Sequence, residues 1–301
     1  MKLSRRSLLQ FGALLGVTIA GGGRSARGGP KNILSDDRMG VLVDTTVCVG
    51  CRNCEWACKK AHDMSTLPIE TYENRDVLGQ FRRPNLESLT VVNEFPSDKP
   101  IPIDVKVQCM HCDHPACVSA CIVGAFSKTE KGAVIWDSDK CIGCRYCMVA
   151  CPFQIPAFEY NKPIQPRILK CDFCVHRTAN EEKPACVEIC PVEALTYGRR
   201  HDLVKVARER IRKHPARYVD HIYGEHEVGG TSWLYLAGKD FKKIGFPRNL
   251  GNNPAPGVSE SIQHGIFAYF MPPALLYALL GSIMWMRRKI NHEESASDGK
   301  P

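Results

Sequence analysis

The stretch Cys141-Ile142-Gly143-Cys144-Arg145-Tyr146-Cys147-Met148-Val149-Ala150-Cys151-Pro152 decides how the chain is read. Three cysteines stand at C-x-x-C steps and a fourth follows after a three-residue gap, then proline, the spacing that ligates [4Fe–4S] clusters. Two-residue gaps let a short loop wrap so that three thiolates face three irons of one cube. The longer gap starts a helix that carries the fourth thiolate away, and Pro152 stops that helix and re-aims the chain.

Working outward, the 301 residues contain 16 cysteines, in four groups of four with none left over. Group one is Cys48, Cys51, Cys54 and Cys58; group two is Cys109, Cys112, Cys117 and Cys121. Group three is the run above, and group four is Cys171, Cys174, Cys186 and Cys190, followed by Pro191. Cysteines crowded at C-x-x-C steps are poorly placed to bridge distant elements as disulfides. Zinc sites use two such pairs, or Cys with His, and seldom three in a row. The count therefore matches four [4Fe–4S] clusters, with a zinc-binding interaction protein as the weaker alternative. His111, His114 and His176 lie among the cysteines. With the ligand count complete they are read as surface groups or neighbours of the clusters. Trp56, Tyr146 and Phe173, inside the runs, are read as water-excluding or simply packed.

The formal charge of +8 raises a nucleic-acid reading. Lys2, Arg5, Arg6, Arg24 and Arg27 lie in the first 30 residues with no acid beside them, leaving 35 basic against 32 acidic residues elsewhere. That is an ordinary solvated surface, and no nucleic-acid partner is expected. Residues 1–30 read as a twin-arginine signal segment, Ser4-Arg5-Arg6-Ser7-Leu8-Leu9 before a short apolar stretch. That route carries folded proteins and suits one loaded with cofactor beforehand.

Flanking residues suggest how the groups pair. Gly124-Ala125-Phe126, a polar turn and Ala133-Val134-Ile135-Trp136 read as strand, turn and strand between groups two and three. Pro156, Pro163 and Pro166 disfavour a hairpin between groups three and four. Val41-Leu42-Val43 precedes group one and Ala194-Leu195-Thr196-Tyr197 follows group four. Those two halves would close around the middle module, although pairing of one with two and three with four stays open. Residues 59–104, with five prolines among them, read as an insertion whose plainest form is a solvated loop.

In the tail, Asp202 is expected to cap a helix through Lys213 with Leu203, Val206, Ala207 and Ile211 on its apolar face. Thr231-Ser232-Trp233-Leu234-Tyr235-Leu236 is expected to be a strand, and residues 247–257 a linker. Ile266 to Met286 carries no charge and at the helical rise spans about 31 Å, near a bilayer's hydrocarbon thickness. Arg287, Arg288 and Lys289 follow, so the positive-inside rule puts that end in the cytoplasm. The expectation is an inner-membrane protein with one C-terminal span and its bulk on the periplasmic face. His264 lies just outside the span.

The middle section is similar to two-cluster ferredoxins, in which the fourth cysteine of each run ligates the other cluster. That likeness, with the nested pairing, implies four ligand sets. They are Cys48, Cys51, Cys54 with Cys190; Cys171, Cys174, Cys186 with Cys58; Cys109, Cys112, Cys117 with Cys151; and Cys141, Cys144, Cys147 with Cys121. The whole chain resembles the four-cluster ferredoxin-like subunits of membrane-bound oxidoreductases. The likeness rests on the Cys141–Pro152 run, Cys109-Met110-His111-Cys112, Tyr223-Gly224-Glu225 and Gly229-Gly230-Thr231. The leader and tail bring it nearest to iron–sulfur subunits of the hydrogenase-2 type, with formate dehydrogenase beta subunits next. Ile122 stands where that family usually has proline.

The resemblance implies a non-catalytic electron-transfer subunit. Its partners would be a catalytic oxidoreductase subunit, an uptake [NiFe] hydrogenase or a formate dehydrogenase or other molybdopterin enzyme, and a membrane quinone or cytochrome subunit. The fold class expected is α+β, two nested ferredoxin-like dicluster modules with a C-terminal extension and one transmembrane helix. By residue the expectation is signal 1–30, cluster domain 31–200, extension 201–262, anchor 263–289 and cytoplasmic tail 290–301. Within the cluster domain the inner module covers about 104–160 and the outer is built from 40–60 and 168–198.

Overall fold

The computed structural model describes residues 38–98, 100–162, 166–256 and 273–288. The expected signal segment, His264 and the tail 290–301 lie outside the described residues.

Strand β1 (Met39–Asp44) is the centre of a three-stranded sheet because its apolar run is covered on both faces. Val41 and Val43 join one core with Trp233 and Tyr235; Leu42 joins another with Leu203, Ala207, Ile211, Leu234 and Leu236. Successive side chains on a strand point to opposite faces, so two cores need apolar residues at every position.

After β1 the first cysteine loop leads into helix α1 (Asn53–Ala61). The stretch from 59 to 104 is more than a solvated loop. It contains two 3-10 turns and strand β2 (Val91–Phe95), which pairs antiparallel with β3 (Ile103–Val107). Tyr72, Leu78, Leu89, Val91 and Val92 are buried. Glu55 of α1 anchors this layer: its carboxylate meets Arg82 at 2.6 Å and Arg52 at 3.2 Å, and accepts the Val92 amide at 2.6 Å. A carboxylate this buried is tolerable because each lone pair has a donor.

Next come the short helix α2 (Ala116–Ser119), the hairpin β4 (Phe126–Lys128) with β5 (Val134–Trp136), and helix α3 (Tyr146–Ala150), which packs on α2. Cys151 ends α3 in extended conformation, immediately before Pro152.

The proline-rich gap does form a pair, β6 (Ala157–Phe158) with β7 (Ile168–Leu169). It is two residues deep, and Pro156 and Pro166 fall outside it, so no ladder donor is lost. Glu159 and Arg167 meet at 2.9 Å at its end.

Helix α4 (Val175–Thr178) and helix α5 (Ala185–Glu188) carry the fourth group, and α5 packs on α1. Strand β8 (Leu195–Arg199) then pairs antiparallel with β1, Val41 opposite Tyr197 and Val43 opposite Leu195. Helix α6 (Arg200–Lys213) buries Leu203, Ala207 and Ile211, whereas Val206 is 37% exposed and off the buried face. Asp202 lies in the first turn, where it suits the helix dipole, and makes no cap hydrogen bond. Strand β9 (Trp233–Leu236) joins the other edge of β1 in parallel. Gly224, at φ +93, shapes the turn before it, because a Cβ there would collide with Thr231 and the Trp233 carbonyl.

The expected transmembrane helix is overturned. Among the described residues no helix is long and apolar enough to cross a membrane. The described helix α7 covers 273–288, the later part of the charge-free run, and residues 257–272 lie outside the described residues. The described part of α7 is about 24 Å long at the helical rise, against a hydrocarbon core of roughly 30 Å. The inner-membrane placement, with the body on the outer face, rested on that span and falls with it. The architecture is a set of small sheets and short helices around cysteine loops.

Candidate metal centres

Each cysteine group opens with a loop turned the same way. The residue before its second cysteine has positive φ in all four groups: Gly50 (65), His111 (49), Gly143 (71) and Phe173 (68). This left-handed step lets both thiols of a C-x-x-C pair face one centre. At Gly50 no other residue would fit, since a Cβ would meet the Asp104 carboxylate and Arg75. His111 and Phe173 adopt the step despite their size and are held by stacking, with ring centroids 5.0 Å apart. Residues strained into this region persist when the surroundings over-determine them.

All sixteen cysteines are free thiols. Those of Cys112 and Cys171 are pushed well above the ordinary range by burial, with neighbouring thiols adding. For Cys112 those neighbours are Cys151, Cys109 and Cys117. Cys117, pushed up to about 12 by burial, has Cys109, Cys151 and Cys147 near it. Cys147 rises to about 11 through burial and then Cys141, Cys144 and Cys121. Burial also raises Cys48, to about 12, with Cys190 and Cys51 adding. Cys54 is raised by burial against Lys106, with Cys186 and Cys48 adding. Cys174 rises to about 12 through burial, then Cys186 and Cys58. Cys171 in turn has Cys58 and Cys109 beside it.

Thiols from different groups are thus electrostatic neighbours: Cys190 with Cys48, Cys58 with Cys171 and Cys174, Cys151 with Cys109, Cys112 and Cys117, and Cys121 with Cys147. The same influence reaches from Cys186 to Cys54, from Cys109 to Cys171 and from Cys147 to Cys117. Apolar side chains wall them, including Phe126, Val134 and Ile168 around Cys117 and Cys147.

Thiols crowded like this and held neutral by burial fit a soft metal centre, since coordination to a metal deprotonates a thiol outright. The buried His111 Nε2, Trp136 Nε1 and Trp233 Nε1 have no hydrogen-bond partner among the described residues. Orphaned donors of this kind fit the acceptor sulfurs of iron–sulfur clusters, whose potentials respond to such hydrogen bonds.

His111 is fully buried and accepts the Val134 amide at Nδ1, 2.8 Å away. Burial and the ammoniums of Lys170, Lys128 and Lys106 hold it neutral, well below the usual histidine range. His176 is exposed and stacks edge-on against His62, centroids 5.2 Å apart. His62 accompanies Asp172 (2.8 Å) and Cys174 in a cluster of metal-binding type, but Cys174 also belongs to a thiol set. Tyr146 is 44% exposed and does not shield its loop, whereas Phe173 is buried. Sequence reasoning passed over His62, Lys106, Lys128 and Lys170. In strand β3 Asp104 and Lys106 alternate with apolar residues, a pattern that carries no local mark of a buried lysine, although both are buried.

Comparison with known proteins agrees with this geometry. Residues 104–200 match the 4Fe-4S dicluster domain. A protein of Nitratidesulfovibrio vulgaris is 50% identical over 221 residues, 73% of this chain, and the chain spans 60% of that relative's length. Hydrogenase-2 operon protein HybA of Escherichia coli is 33% identical over 86% of this chain and 88% of its own. The formate dehydrogenase-O iron–sulfur subunit of Escherichia coli is 32% identical over 75% of each chain. With four cysteine loops of one geometry and these relatives, the chain belongs to the family of HybA-type iron–sulfur electron-transfer subunits.

Proposed function

We propose that the protein is a relay subunit holding four [4Fe–4S] clusters in a single file between a catalytic oxidoreductase subunit and a quinone- or cytochrome-bearing membrane subunit. What supports it is that thiols of different groups are neighbours in the pattern of the four ligand sets implied by the resemblance, with Cys54 near Cys186, Cys171 near Cys109 and Cys117 near Cys147. The proposed ligand sets are those four. Cubes held there supply one-electron carriers. The chain's own part is to fix the sulfurs with the left-handed loops, exclude water with residues such as Phe126, Val134 and Phe173, and set the local charge. It offers no nucleophile–base pair of its own in this reading.

The end carrying Cys144 is exposed and ringed by the exposed Ile122, Ile142 and Val149. A hydrogenase catalytic subunit is the preferred partner because the HybA likeness runs through 86% of the chain, against 75% for the formate dehydrogenase subunit.

Anaerobic purification tests the reading. Brown protein with about sixteen irons and four reducible centres is expected, and Cys144→Ser should remove one paramagnetic signal. Colourless or zinc-loaded protein would end it. Co-purification of a formate dehydrogenase in place of a hydrogenase would reassign the partner alone.

A further inference from the structure

Lys106 lies inside the protein, on β3, 2% exposed. Its Nζ donates to Thr90 Oγ1 at 2.7 Å and Gln108 Oε1 at 3.0 Å, and sits 4.5 Å from the Trp233 ring centroid. Gln108 donates to the Tyr235 hydroxyl at 2.6 Å, which donates back to the Lys106 carbonyl at 2.9 Å, so the side chain is locked. Among the described residues no carboxylate lies within ion-pair distance of Lys106. The charges facing it are the sulfurs of Cys186, Cys54 and Cys171.

Lys170 repeats the pattern. It is 6% exposed, donates to the Cys171 carbonyl at 2.9 Å and to the Val134 carbonyl, and lies 5.9 Å from the Phe126 ring centroid. Val134 and Phe126 pack with Cys117. Lys170 too has no carboxylate in ion-pair distance among the described residues. Lys128 differs. It donates to the Cys112 carbonyl at 2.6 Å, but Asp113 lies 3.7 Å from its ammonium.

A buried ammonium without a counter-charge costs several kcal/mol, so Lys106 and Lys170 need a negative group that the protein's carboxylates do not provide. A cube with four thiolates is net negative, and more so by one charge when reduced.

We propose that Lys106 and Lys170 are fixed positive charges that raise the reduction potentials of the clusters they face. Lys106 acts on the two sets containing Cys54 and Cys186, and Lys170 on the set containing Cys117. This rests on the relay reading above. The only change of charge is the single electron each cluster gains and gives up. Lys128, already opposed by Asp113, contributes less.

The test is a potentiometric titration, followed by electron paramagnetic resonance, of the iron-loaded full chain and its variants. In Lys106→Met, two of the four centres should shift downward. At the wild-type midpoint their reduced-to-oxidised ratio should fall at least tenfold, which is about 59 mV for a one-electron couple. Lys106→Arg should restore the wild-type value. Lys170→Met should shift a different centre, and Lys128→Met should shift its own centre less than either.

Full iron content with unshifted midpoints in Lys106→Met and Lys170→Met overturns the proposal. So does a Lys128→Met shift as large as theirs, or loss of iron from Met and Gln variants at both lysines, which would make them structural. Wild-type protein without paramagnetic signals takes down the relay reading as well, so the two failures are told apart.

Discussion

Two of the thiol clusters are built on one loop geometry and finished differently. Around Cys58, Cys171, Cys174 and Cys186, all buried, lie α1, α5 and the core that also holds Trp233 and Tyr235. Around Cys121, Cys141, Cys144 and Cys147 there is a two-stranded hairpin and two short helices, and Cys144 is exposed. The difference teaches that the cysteine run fixes where the sulfurs sit, while chain outside the run decides how much water reaches them. Burial of this kind is one of the levers on cluster potential.

The largest expected contrast comes from removing one cysteine from each of these two clusters. Cys186→Ser, in the main core, should cost the folded body as well as its cluster. Cys144→Ser should leave the fold intact and lose about a quarter of the iron. Iron analysis with circular dichroism separates the two, and equal losses of structure would break the comparison.

Next in size is the packing. Trp233→Ala empties a fully buried position and should cost about 3–5 kcal/mol. Trp136→Ala, at a partly exposed hairpin position, should cost clearly less, as read by anaerobic denaturant unfolding. Glu55→Gln should fall near Trp233→Ala, about 3–5 kcal/mol, because Arg52 and Arg82 keep buried charge without their carboxylate.

Chelation gives a kinetic version. With a strong iron chelator, the signal lost in Cys144→Ser should fade first in the wild type, and simultaneous loss of all signals would contradict the difference in shielding.

The smallest effect is local. The Arg167 guanidinium, with Lys162 adding, holds the Glu159 carboxyl down at about 2. A depressed folded value means the interaction stabilises the β6–β7 pair above the ordinary carboxylate range and is lost as pH falls through about 2. Glu159→Gln should therefore reduce amide protection in that pair by the same factor at pH 7 and pH 6, and by a clearly smaller factor at pH 3, between the ordinary carboxylate value and the depressed one. A difference unchanged at pH 3 would contradict the assignment.

Much of the site was legible because cysteine spacing is local. Gly50 and Gly143 also advertise the left-handed step, but His111 and Phe173 make the same step and only their mutual stacking explains it. Strands β1 and β8 were readable from their apolar runs. The parallel strand β9 beside β1 was readable as a strand and not as a neighbour, since the paired Asp44 and Leu236 stand 192 positions apart and nothing local encodes the pairing. Lys106 was missed because alternation with Asp104 looks like a wet face; Trp233 and Thr90, distant in sequence, cover it together with the nearby Gln108. The anchor was expected from a count of uncharged residues, and such a count does not register how much of the run forms one helix; among the described residues no helix is long and apolar enough to cross a membrane.

The pairing of β1 with both β8 and β9 has a consequence for how the protein matures. In the proposed ligand sets, every sulfur of the two middle-chain ones lies between Cys109 and Cys151, so that portion can close on the ribosome while the rest is still being made. On the same assignment the sets containing Cys48 and Cys58 wait for Cys190 and Cys186, and their sheet waits for Leu236. Iron delivery to the nascent chain would then proceed from the centre of the sequence toward its ends, leaving the first-made cysteines among the last to be filled.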